Sequence, residues 1–141
     1  MNERIVTTKA ELKEAVKEGV GVIVVQGELV KKLEVISKIQ NLTEKKRNKL
    51  LVFATGAGAA IIAGIAAAPA TGGMSMALSA AGTGTFALSS GIGIALVAGF
   101  LTVCAFIGVE TIIALTKEYD AEFEIDFYGI GKTKAKFTKR S

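Results

Sequence analysis

The chain has no histidine, no tryptophan and a single cysteine, Cys104, among its 141 residues. Histidine is the usual base beside a serine or cysteine nucleophile, and histidine and cysteine are the usual zinc ligands. One thiol also cannot form a disulfide within its own chain. These absences exclude the common nucleophile pairs and zinc sites. The sequence predicts no catalytic residue, no metal site, no cofactor and no enzymatic activity.

Formal charge is absent from a long central segment. The 60 consecutive residues from Leu50 to Val109 contain no Asp, Glu, Lys or Arg, although the whole chain has 17 basic and 13 acidic residues. One membrane-spanning helix needs roughly 20 apolar residues. The N-terminal residues "MNERIVTTKAELKE" are charged, which is unlike a cleaved secretion signal. The composition therefore predicts a membrane protein with two charged ends.

The uncharged segment divides near Pro69, the one proline of the chain. Residues 50–69 and 91–116 are each long enough to span a bilayer, the second with tilt. Residues 70–90, "ATGGMSMALSAAGTGTFALSS", are rich in small and hydroxylic residues. A hairpin tip, a re-entrant element and a short buried helix remain open for them. Basic residues precede the first predicted span and follow the second one, so the positive-inside rule places both termini in the cytoplasm.

The charged ends show the patterns of a small α/β unit. In residues 1–49, "RIVT" and "VGVIVVQG" are predicted strands, a capping box of Thr8 and Glu11 begins a helix between them, and a second helix follows. This order favours a parallel strand pair. In residues 117–141, apolar and charged residues alternate, which predicts a hairpin with an acidic strand opposite a lysine strand.

The predicted fold class is therefore an α+β membrane protein. A cytosolic β-α-β-α unit in residues 1–49 is completed by the C-terminal β-hairpin of residues 117–141. Both are joined to a glycine-rich transmembrane helical hairpin with two spans, which occupies residues 50–116.

Small residues recur every four positions, first from span 50–69 into the segment after it and again in span 91–116. In lipid, helices associate through close packing, which small side chains permit. One hairpin that packs on itself explains these two ladders, and homo-oligomerisation, which a pair of ladders favours, explains them as well. The predicted helix-packing residues are Gly56, Ala60, Gly64, Ala68 and Gly72 in the first ladder, and Gly91, Ala95 and Gly99 in the second.

Basic residues cluster just before the uncharged segment. Three interpretations remain open: a topology marker that contacts lipid headgroups, a binding surface for a nucleotide or nucleic acid, and a solvated helix face. The candidate residues for binding a ligand or lipid headgroups are Lys31, Lys32, Lys38, Lys45, Lys46, Arg47 and Lys49.

One carboxylate, Glu110, lies inside the second predicted span, seven residues before Lys117. A charge at the bilayer centre costs about 2.5 to 3.5 kcal/mol on insertion scales. A single copy of Glu110 would reach the interface or remain protonated. In a symmetric oligomer, the same residue would form a ring that concentrates cations at a pore mouth. Glu110 is the predicted ion-pathway residue.

The chain resembles the small membrane effectors of prokaryotic antiphage defence operons. The resemblance lies in the basic unit "ELKEAVKEGVGVIVVQGELVKKL", the glycine-rich central segment and the charged terminal hairpin. In outline the chain is most similar to the transmembrane effector of the Hailong system. That similarity implies an ion channel in the prokaryotic cell membrane that depolarises the cell. It also implies a partner nucleotidyltransferase, whose single-stranded DNA product holds the channel shut.

The predicted function is therefore a homo-oligomeric membrane ion channel, gated through its cytosolic basic domain by a nucleotide or oligonucleotide. The alternative is a non-conducting membrane anchor or assembly module for a partner protein.

Overall fold

The computed structural model describes residues 2–67, 81–125 and 132–140. The chain divides into two compact units. The first, here the sheet unit, contains Met1–Ser37 and Glu110–Ser141. The second, here the helical unit, contains Lys38–Val109.

Four strands form one sheet in the sheet unit, in the order β1-β2-β4-β3. Strands β1 and β2 are parallel, and β4 is antiparallel to both β2 and β3. The predicted parallel pair and the predicted terminal hairpin are confirmed, and both belong to the same sheet. The strands are β1 Glu3–Val6, β2 Val22–Gln26, β3 Tyr119–Ile125 and β4 Lys132–Lys139.

Helix α1, Lys9–Lys17, begins with the predicted capping box. The Thr8 hydroxyl accepts a hydrogen bond from the Glu11 backbone N–H at 3.2 Å, and the Glu11 carboxylate accepts one from the Thr8 N–H at 3.2 Å. Hydrogen bonds from the backbone and side chain of Thr7, and then from Thr8, lower the pKa of Glu11. The helix therefore starts where the local sequence predicts that it starts.

One face of the sheet is buried because apolar side chains alternate along its strands. Ile23, Val25 and Phe137 are fully buried on this face, whereas Glu122 and Lys136 are exposed on the opposite face. Tyr119 is also buried, and its hydroxyl donates a hydrogen bond to the Val20 carbonyl at 2.7 Å. Burial raises the pKa of Tyr119. The unit also includes most of α2, Leu29–Gln40, and of α7, Val109–Glu118.

The helical unit is organised around a buried helix. Seven apolar side chains of this helix, α6, are buried, among them Phe100 and Leu101. Helices α4 and α5 both pack against α6, and α3 packs against α4 and α5. The four helices are α3 Glu44–Thr55, α4 Gly58–Ala67, α5 Ala81–Ser90 and α6 Ile94–Ile107. Helix α5 lies within the segment 70–90; residues 70–80 lie outside the described part of the chain.

The predicted two-span transmembrane hairpin is wrong. Within the residues that the structure describes, no helix on its own has both the length and the apolar composition to cross a membrane. Two pairs, α3 with α4 and α6 with α7, meet the requirement when each is taken together, but each pair is bent by more than 40° at a short break. These two pairs meet the requirement by length and composition only.

Glycines account for both breaks. Gly56 ends α3 with φ −108° and ψ −113°, which is not helical, and α4 then continues at an angle of 58° to α3. Gly108 ends α6 with φ +130°, a conformation that side-chain-bearing residues rarely adopt. The predicted spans 50–69 and 91–116 are therefore each interrupted by a glycine.

Candidate functional site

The surface of the helical unit is unusually apolar. Leu88 is 89% exposed and Val52 is 70% exposed, and Ile94 and Phe106 also face outward. A helix at a water-facing surface normally carries charged residues on its outer side. From Leu50 to Val109 this unit has none, because the segment contains no charged residue. The described outer faces of α4, α5 and α6 therefore offer only apolar, small and hydroxylic side chains.

The first small-residue ladder lies on the outside of the unit. Gly56 and Ala60 are exposed, and Gly64 is half-buried with no heavy atom within 4 Å of a Cβ placed there. The buried face of α4 uses Gly58 and Ile62 instead. The described ladder residues thus leave their face open rather than joining helices within the unit. Ala68 and Gly72 lie outside the described residues.

The three residues of the second ladder have different structural roles. Gly91 follows α5 with φ +74°, so it ends that helix in a left-handed conformation. Ala95 is exposed at the start of α6, and Gly99 is half-buried further along α6. Equal spacing in the sequence therefore does not give these three residues one common face of contact.

The fold separates the predicted basic residues into three groups. The Lys46 ammonium donates a hydrogen bond to the Gly91 carbonyl at 3.4 Å, beside the C-terminal end of α5, and the Arg47 guanidinium donates one to the Gln40 carbonyl at 3.3 Å. Cations are favourable at helix C-termini, where carbonyl groups remain unpaired. Lys45 and Lys49 instead line a pocket. On α2, the predicted residues Lys31, Lys32 and Lys38 are exposed.

The pocket is an apolar groove along α3 with a cationic end. Its volume is about 610 Å³. Phe53 of α3 and Phe86 of α5 stack with ring centroids 4.2 Å apart and planes at 11°, and both rings contribute to the lining. Sequence reasoning did not identify these two rings as site residues. The complete lining consists of Lys45, Asn48, Lys49, Val52, Phe53, Gly56, Ala57 and Phe86.

Gly58 fixes the chain against one ring of the pocket. A Cβ at this position would lie 2.8 Å from the Phe53 carbonyl oxygen and 2.9 Å from a carbon of the Phe53 ring. Only glycine permits this approach without a shift of the backbone. The break between α3 and α4 thus places the start of α4 directly beside Phe53.

Glu110 is exposed in the first turn of α7, in the sheet unit. A carboxylate in the first turn interacts favourably with the partial positive charge of the helix N-terminus. The helix N-terminus alone therefore favours an acidic residue at this position. Glu110 also borders a surface hollow of about 390 Å³ with Ile113, Ala114, Lys117 and Glu118. Its place in an ion pathway stays a prediction.

The chain matches the model of the family described as "Uncharacterised protein PM1101" over residues 5–136, and it belongs to that family. Neither the curated proteins nor the solved structures gave a match to this chain. The family's description states no activity, so the function is argued from the two units and their surfaces.

Proposed function

We propose that the helical unit enters a lipid bilayer and that the protein assembles there as a homo-oligomeric ion channel. The supporting observation is the surface that the unit presents from Leu50 to Val109, a segment without charged residues in which Val52 and Leu88 are largely exposed. In water, large exposed apolar surfaces promote association or aggregation, whereas lipid accommodates them. Broken helices are also compatible with membrane depth where the break is buried in protein or faces water.

The outward ladder on α4 supports assembly of several copies. Ala60 and Gly64 present little side chain, and the space beside Gly64 is open. Helices in lipid associate through such faces because their backbones can approach closely. A second copy of the chain is a suitable occupant of this face.

In this proposal the assembled copies, and not a single chain, form the ion pathway. Within the described part of the helical unit, apolar side chains of α6 such as Phe100 and Leu101 are buried, so in this proposal ions pass between copies. Exposed Glu110 follows directly after the uncharged segment. Repeated around a symmetry axis, it would favour cations at the pore mouth.

The exposed lysines of α2 are the proposed contacts for a gating ligand. Lys31, Lys32 and Lys38 are exposed, and clustered positive charge attracts phosphate groups. The resemblance to antiphage effectors favours an oligonucleotide, with a partner nucleotidyltransferase as its source.

The same apolar surface also favours a second function, that of a non-conducting membrane anchor. A single copy would hold the sheet unit at the bilayer without any conduction. Subunit number and ion flux distinguish the anchor from the channel.

The test uses purified full-length protein and vesicles of phosphatidylcholine and phosphatidylglycerol. We expect the protein to float with the vesicles and to be oligomeric by mass in a mild detergent. We also expect it to release potassium from vesicles that are loaded with it. Glu110→Lys should weaken the preference for cations because it reverses the charge of the proposed ring. Glu118→Lys, a charge reversal beside the same hollow, serves as the matched control.

Two results would contradict this proposal at different levels. A floating monomer without potassium flux would exclude the channel and leave the anchor. Protein that stays in the aqueous fraction would exclude both functions.

A further inference from the structure

We infer that the pocket along α3 binds one anionic phospholipid, with the lipid phosphate at Lys45 and Lys49 and one acyl chain against Val52, Phe53 and Phe86. This inference rests on the proposed membrane location of the helical unit, because that location supplies the lipid.

The lining residues of α3 form one continuous face. Lys45, Lys49 and Val52 follow one another at intervals of four and three residues, and Asn48 lies three residues after Lys45 and four before Val52, which places them on the same side of a helix. Gly56, the C-cap of α3, follows four residues after Val52. At 1.5 Å per residue, this face is about 16 Å long. Its first two turns are cationic and polar, and the remainder is apolar. A phospholipid has the same change of chemistry from its headgroup to its chains.

The apolar end of this face has room for a chain. Gly56 and Ala57 contribute almost no side-chain volume to the lining, and the stacked rings of Phe53 and Phe86 bound the groove. Contact with Gly58 keeps the chain beyond the break close to Phe53. The volume of about 610 Å³ lies within the range of small-molecule sites. The groove is therefore defined by backbone and ring contacts.

The cationic end is available for an anion. Lys45 and Lys49 are exposed, and neither belongs to the ion pairs that join Arg4 to Glu18 and Arg140 to Asp120. The two lysines stand immediately before the uncharged segment, at the level where headgroups meet water. A free phosphate compound would use these lysines and leave the apolar part of the groove empty. A phospholipid complements both parts.

The experiment titrates detergent-solubilised full-length protein with dioleoylphosphatidylglycerol and counts bound lipid by native mass spectrometry. Dioleoylphosphatidylcholine has the same chains and no net charge, and glycerol 3-phosphate has the phosphate without chains. We expect preferential binding of phosphatidylglycerol. Lys45→Gln with Lys49→Gln should weaken it about 30-fold, since each of the two lysines near an anionic headgroup contributes about 1 kcal/mol.

Two further variants separate the charge effect from the chain effect. Lys13→Gln with Lys17→Gln removes the same charge at the same spacing from exposed positions of α1, outside the pocket, and should leave lipid binding unchanged. Val52→Asn should weaken the binding of both lipids, because it places an amide where a chain lies. Val52 is largely exposed, so this variant should retain its fold.

Equal binding of the two lipids would overturn the inference, and so would equal effects of the two double lysine variants. Full displacement of phosphatidylglycerol by glycerol 3-phosphate would assign the lysines to a free anion and would also overturn it. Vesicle flotation is measured separately. Protein that floats but shows no lipid preference contradicts only this inference, whereas protein that does not float contradicts the proposed function.

Discussion

At the scale of single residues, the glycines of the helical unit have different roles that their spacing does not distinguish. Gly58 lies against the backbone and ring of Phe53, whereas Gly64 has open space where a side chain would be. Gly108 is required by its positive φ. The sequence identifies all three residues as glycine. It does not indicate which neighbouring atoms lie beside each one, because a glycine looks the same in the sequence whatever packs against it.

The substitution Gly58→Ala should destabilise the helical unit by about 1 to 3 kcal/mol, because the new methyl group overlaps the Phe53 carbonyl and ring. Gly64→Ala is the matched control within the same helix. It should be neutral or stabilising by up to about 1 kcal/mol, since alanine favours helix and the space is open. Thermal unfolding followed by circular dichroism in detergent measures both. Equal unfolding temperatures for the two variants would refute the assigned contact.

At the scale of elements, the C-terminal hairpin shows how a local pattern determines register. Glu122 of β3 lies opposite Lys136 of β4, and both are exposed. Their apolar neighbours alternate onto the buried face, where Phe137 is fully buried. A shift of one residue would exchange the two faces, so the alternation specifies the pairing.

The substitution Lys136→Glu should destabilise the sheet unit by about 0.2 to 1 kcal/mol, because it places two like charges directly opposite each other. Adding Glu122→Lys reverses the pair and should restore most of the loss. Urea unfolding measures the three proteins under identical salt. If the double variant is no more stable than the single one, the two side chains do not interact across the strands.

Elements defined by short-range patterns could be predicted from the sequence. The capping box of α1, the strands and the parallel pair are examples, since each depends on residues close together or on a period of two. The break at Gly56 could not be predicted in the same way, because apolar composition continues on both sides of it. The stacking of Phe53 on Phe86 joins residues far apart in the sequence, and nothing local indicates their contact.

At the scale of the whole molecule, the sheet unit depends on both ends of the chain. Strand β4 lies between β2 and β3, and it contributes fully buried Ala135 and Phe137 to the core. The N-terminal strands alone form only a two-stranded pair. Such small sheets are marginal without further strands or packing.

Deletion of residues 132–141 should therefore unfold the sheet unit and leave the helical unit folded. Hydrogen exchange read by mass spectrometry should show faster exchange in β1 and β2, while amides of buried α6 stay protected. A chain that ends after Lys139 keeps all of β4 and is the control. Retained protection of β2 in the shorter deletion would mean that the N-terminal segment folds without β4.

The place of β4 in the sheet also orders events during synthesis. The ribosome produces β1 and β2 first, then the whole uncharged segment, and then β3 and β4. Until then, the edge of β2 that will receive β4 is unpaired on the nascent chain, where unpaired edges invite wrong partners. The sheet can close only after β4 has left the ribosome. If the uncharged segment has entered a bilayer by then, β3 and β4 must lie on the same side of that bilayer as β1 and β2, because all four strands form one sheet.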